Sequence, residues 1–197
     1  MSTKYEKQLS YLQKPKENEI PKELQEIFDK NIEAQMNNWG FINNLFKVLP
    51  LNAHQYKGFL DFKASLFTPE TCYLSTADKE MIGLVVSSIN CCSYCLTTHG
   101  DMLRGLTGDA IWVDKIIYNY RSAKLTPKQR ALCDYAYFVT VYPQEITTGQ
   151  IDKLREAGLN DHEILEAAYI AGFFNYTNRW VSTIAPLANE GHFNHNR

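Results

Sequence analysis

Residues 74–100 read LSTADKEMIGLVVSSINCCSYCLTTHG, and the parsing of this stretch decides the fold. Ser75 or Thr76 can cap a helix that runs through about Ile89, because a short hydroxyl side chain accepts a hydrogen bond from the free N–H groups of a first turn. A new helix begins at the cysteines and extends toward Gly105, with Gly105 and Gly108 as its stop. Two consecutive helices joined at a cysteine cluster, with no strand pattern between them, set the class as helical.

Helical spacing continues on both sides. Pro21 can occupy the first turn of a helix reaching about Asn37, with Leu24, Ile27, Phe28, Ile32 and Met36 recurring along one face. Gly40 interrupts it. A short helix from about Ile42 to Val48 ends before Pro50, and another spans about Ala53 to Leu66. Downstream, a helix covers Asp109 to about Tyr120. Thr126-Pro127 with Gln129 opens the next, Thr147 with Gln150 forms a capping-box pattern, and Asn160 with Glu163 repeats it before a long apolar helix toward Ile184. The sum is an all-α bundle without an internal repeat. The first 16 or so residues read as an arm, frayed or docked on a neighbour.

The chain has 197 residues, a hydrophobic content of 45% and a formal net charge of −2. That length suits one domain, with residues 1–40 as an N-terminal helical extension. The charge provides no basic field for nucleic acid or an anionic membrane surface. The N-terminus lacks the apolar centre of a signal peptide, and no apolar run approaches the roughly 18 to 20 residues of a membrane span. A cytoplasmic location is the expectation.

Five cysteines are an odd set, and Cys91, Cys92 and Cys95 lie within five positions, a poor framework for a secreted disulfide scaffold. On a helix, Cys92, Cys95 and His99 share one face, since spacings of three and four bring side chains together. A thiol is nucleophilic as its thiolate, and its pKa falls from about 8.5 at a helix N-terminus, beside a protonated histidine or in a CxxC pair. Two cysteines three apart can also close a disulfide. Zinc is the rival chemistry, but CxxCxxxH supplies three ligands where a closed site takes four. Glu80, twelve residues before Cys92, reads either as a solvated first-turn glutamate or as a buried carboxylate that exchanges protons with the thiol and imidazole.

Glu80, the CSYC of residues 92–95 and His99 together resemble the signature of the alkylhydroperoxidase D-like (AhpD-like) branch of the carboxymuconolactone decarboxylase superfamily, especially its peroxidase-related subgroup. LTPKQRALCDYAYFVT (residues 125–140) and IDKLREAGLNDHEILEAAYIAGFFNYTNR (residues 151–179) resemble its downstream helices, so the likeness covers roughly residues 40–185. It implies an all-α, AhpD-like helical bundle that assembles as a homo-oligomer, a trimer or hexamer, and a cofactor-free thiol peroxidase. In such enzymes the residue matching Cys95 attacks a small hydroperoxide, that matching Cys92 resolves it to a disulfide, and those matching His99 and Glu80 carry protons. A thiol or lipoyl-type reductant restores the dithiol. The resemblance departs at Tyr94, where relatives carry a second histidine, and a phenol is a poor base at neutral pH.

Alternatives from other classes are a redox-sensing or scaffold protein of the same fold and a decarboxylase-like enzyme. Cys91 reads as a small buried residue and His54 as a surface or packing residue. Asn178 and Arg179 match a family pattern and read as structural. His192 and His195 lie in EGHFNHNR, which reads as a mobile tail.

Overall fold

The computed structural model describes residues 9–197. Among these, helices follow one another as α1 (Lys22–Trp39), α2 (Asn44–Val48), α3 (Ala53–Phe67), α4 (Thr76–Ile89), α5 (Ser93–Thr107), α6 (Ala110–Asn119), α7 (Pro127–Val141), α8 (Thr148–Glu156), α9 (Asp161–Ile184) and α10 (Gly191–Asn194), and the described residues contain no strand. No helix among them is long and apolar enough to cross a membrane.

The caps follow local chemistry. Ser75 accepts from the Asp78 N–H, and Thr126 with Gln129 and Asn160 with Glu163 close reciprocal capping boxes. Gly40 and Gly108 end α1 and α5 in the left-handed conformation. Two boundaries, at Pro21 and Gly105, differ from the sequence-based expectation. Pro21 precedes α1 as its cap rather than entering the first turn. Helix α2 ends at Val48, before Pro50 as expected, and a 3-10 turn, Leu49–Asn52, follows it. Gly105 lies inside α5, where its missing Cβ leaves room for the Asn196 side chain.

Helix α4 is the axis of the molecule. Every residue from Lys79 to Ser87 is buried, which a helix tolerates only when neighbours surround it. Those neighbours are α5, α6, α7 and α9. The main core gathers Met81, Ile82, Leu84, Val85 and Val86 of α4 with Leu103, Leu132, Ile170 and Phe174. A second cluster joins Leu45, Cys92, Tyr94, Cys95 and Val181, so the cysteine turn is itself a packed joint.

The expected N-terminal arm is partly anchored on its own chain. The Tyr11 N–H donates to the Ile184 carbonyl at 2.9 Å and the Leu187 N–H donates to the Leu9 carbonyl at 2.8 Å. Residues 1–8 of that arm lie outside the described residues.

Candidate active site

The turn between α4 and α5 creates the site. The Cys91 N–H donates to the Ser88 carbonyl at 3.2 Å and the Cys92 N–H to the Ser87 carbonyl at 3.0 Å, with Cys91 at φ 53°. This is a Schellman closure, in which the left-handed position usually takes glycine. Cys91 is exposed, which corrects its reading as a buried residue. A left-handed backbone at a helix end turns that position away from the packed face.

The reversal places Cys92 at the N-cap of α5 and Cys95 in its first turn. The two are joined as a disulfide with their Cα atoms 5.4 Å apart. Their exposures are 1% and 4%, so they open only narrowly to their surroundings. No side chain caps this helix end, which leaves first-turn N–H groups and the positive end of the helix dipole to stabilise a thiolate. The expected single helical face is thus modified: Cys95 and His99 are one turn apart within α5, while Cys92 sits just before it.

Glu80 enters from α4 and is fully buried, against the solvated reading. Its Oε2 lies 2.7 Å from His99 Nδ1, while its Oε1 is buried without a hydrogen-bond partner. An orphaned buried acceptor is costly enough to call for a functional explanation. His99 is further held by the Phe174 ring, edge-on at 4.7 Å between centroids. That ring occupies the space a Cβ at Gly83 would need. At Ser87, two turns beyond Glu80, the hydroxyl accepts from Asn178 Nδ2 at 3.1 Å, and Asn178 Oδ1 accepts from Asn90 at 3.0 Å. Glu80, Gly83 and Ser87 therefore form one stripe of α4 that seats α5 and α9. Asn178 pins α9 to the end of α4, whereas Arg179 is exposed and bonds Asn175 within its own helix.

Cys95, Glu80, His99 and Tyr94 line one cavity of about 300 Å³. Cys92 is absent from its lining. The wall is mainly apolar, with aromatic rings prominent in it, among them Trp39, Phe46, Phe59, Phe173 and Trp180. The Tyr94 hydroxyl is buried without a partner of normal geometry. Burial pushes its phenol well above the usual tyrosine range, with the Leu45 backbone amide opposing. At neutral pH it can donate a proton but not accept one as a base.

Sequence reasoning missed two residues here. Lys63 of α3 lines the same cavity, with its ammonium 5.5 Å from the centre of the Phe46 ring. Burial pulls its pKa down and the Glu80 charge pulls it back up. No motif contains it, and only the packing of α3 brings it in. His192 is the second. The expected mobile tail is instead anchored, with His192 fully buried, its Nδ1 2.6 Å from Asp101 Oδ2 and its Nε2 against Asn43 Oδ1. His195 stays at the surface, 3.3 Å from Asp101, and His54 is exposed as expected. Among the described residues no three His, Cys, Asp or Glu side chains are grouped to hold a metal ion.

Residues 55–136 match the model of the carboxymuconolactone decarboxylase family. Over 100% of both chains, the protein is 33% identical to an uncharacterized peroxidase-related protein from Silicibacter sp. TM1040, with a TM-score of 0.88. The chain belongs to this family, in its AhpD-like branch. A second AhpD-like relative, an uncharacterized peroxidase-related protein with the alkylhydroperoxidase AhpD core from Ralstonia eutropha JMP134, is 28% identical. It covers 96% of this chain and 97% of its own, at a TM-score of 0.88. The debrominase Bmp8 shares the fold at a TM-score of 0.75 and 15% identity, over 95% of each chain. No curated protein matches the sequence. The AhpD-like fold therefore accounts for the helical class read from the sequence.

Proposed function

We propose that the protein is a cytoplasmic thiol peroxidase that reduces small hydroperoxides through the Cys92–Cys95 pair. The observation that carries this reading is that Cys95, at a helix N-terminus, opens to the same cavity as the Glu80–His99 pair. The Cys95 thiolate attacks the terminal oxygen of ROOH. The O–O bond breaks, an S–O bond forms, and a proton delivered through His99 and Glu80 releases ROH. The Cys92 thiol then attacks the Cys95 sulfenic acid, forming the disulfide and expelling water. A dithiol reductant, of the lipoyl type in cells, returns two electrons and two protons and is itself oxidised.

Several features support these roles. The imidazole uses Nδ1 toward Glu80, leaving Nε2 without a hydrogen bond among the described residues, which is the arrangement that fixes one tautomer for proton transfer. The protonated Tyr94 phenol can serve as a donor to the departing oxygen in place of a second histidine. Homo-oligomerisation, as a trimer or hexamer, belongs to the same proposal.

The test is peroxide consumption with a dithiol reductant. Cys95→Ser should abolish turnover, whereas Cys92→Ser should keep one stoichiometric oxidation and stop at a trapped sulfenic acid. Full activity in Cys95→Ser overturns the mechanism. A single oxidation of the native protein without turnover points instead to a redox sensor.

A further inference from the structure

Lys63 has no place in the thiol chemistry, yet it sits in the wall of the cavity where that chemistry would occur. Lys79 of α4, which is fully buried outside the cavity lining, shows what a settled buried lysine looks like here. Its ammonium donates to the Leu66 carbonyl at 3.0 Å and lies 3.6 Å from Glu166. Among the described residues Lys63 has neither kind of partner. No carboxylate among the described residues approaches its ammonium within ion-pair distance, and the ammonium lies over the face of Phe46. A partly buried cation held only by an aromatic ring is under-compensated.

Glu80 is not its counter-ion at contact distance. One oxygen of that carboxylate is committed to His99, and the other is buried without a partner. The cavity thus offers an unpaired cation and an unpaired acceptor within walls that are otherwise mainly apolar. A ligand that completes it has an apolar body, an anionic group for Lys63 and an O–H donor for the Glu80–His99 end. At about 300 Å³, the space lies at the small end of ligand pockets.

We propose that the substrates are hydroperoxides of small, apolar carboxylic acids, with Lys63 pairing to the carboxylate. This substrate class rests on the thiol peroxidase reading, but the recognition of the acid does not require turnover. Lysine suits that role as a point charge on a flexible stem. A carboxylate ion-paired in a dry pocket forms a short, charge-assisted bond that its neutral amide does not.

The test is a matched pair of unreactive ligands, 3-phenylpropionate and 3-phenylpropionamide, titrated into the full-length oxidised protein and followed by tryptophan fluorescence or calorimetry. The acid should bind about tenfold more tightly than the amide at neutral pH. Lys63→Met should erase that preference and Lys63→Arg should retain most of it. Absence of the preference in the native protein, or its survival in Lys63→Met, overturns the assignment. Kinetics then separate the two proposals. If hydroperoxides are not consumed while the acid preference still depends on Lys63, the peroxidase reading fails and the acid-binding site stands. If both hold, the selectivity for an acidic over a neutral hydroperoxide should fall about tenfold in Lys63→Met, mainly through KM.

Discussion

Gly83 exerts its influence by what it lacks. The absence of a Cβ lets the far end of the Phe174 ring press against α4 while the ring meets His99 in a T-shaped contact. Gly83→Ala should cost about 1–3 kcal/mol by overpacking, measured by urea denaturation, and displace His99 enough to slow any reaction that uses it. Stability and activity unchanged in that variant would mean that Phe174 yields freely. Single residues also mark what sequence could disclose. Cys92, Cys95, His99 and Glu80 could be brought together from sequence because two of them lie on one helix, Cys92 caps it and Glu80 lies on the helix leading into it. Lys63 and His192 were not, since their burial is set by partners far away in the chain, Phe46 and the cavity for one, Asp101 and Asn43 for the other.

At the scale of elements, the turn from α4 to α5 is the decisive joint. It costs a non-glycine residue a left-handed backbone, roughly 1–2 kcal/mol for an ordinary side chain. Cys91→Gly should therefore stabilise the protein by up to about 1 kcal/mol, the gain being reduced by glycine's greater freedom in the unfolded chain. Equilibrium unfolding under reducing conditions checks this, and a clear loss of stability would show that the thiol has a structural contact. Helix starts were readable because capping is a conversation between neighbours: Ser75, Thr126 and Asn160 bond within three residues of themselves. Ends were harder. Gly105 looked like a stop but continues α5, and Cys91 gave no sign of the left-handed conformation normally left to glycine or asparagine.

Across the whole molecule, the last segment closes on the first helices. His192 links Asp101 of α5 to Asn43 before α2, and Asn43 in turn bonds Gln35 of α1 at 3.0 Å. Burial raises the Asp101 pKa, but hydrogen bonds from His192 and Asn196 and the charges of His192 and His195 outweigh it, leaving a net lowering. A carboxyl group with a folded pKa below its unfolded value of about 3.9 contributes its full stability above that value, and loses it as pH falls through the folded pKa. Asp101→Asn should therefore destabilise the protein by about 1.5–3 kcal/mol at pH 7, the range for hydrogen bonds to charged groups. The gap between variant and native protein should narrow below about pH 4, as thermal melts across that range would reveal. A constant gap would place the effect in packing instead.

The position of His192 also orders events in time. It forms part of the wall of the cavity that holds Cys95, so a chain emerging from the ribosome presents its cysteine pair about a hundred residues before that wall exists. During synthesis the two thiols lack that side of their surroundings, and the cavity is closed there only when α10 has docked.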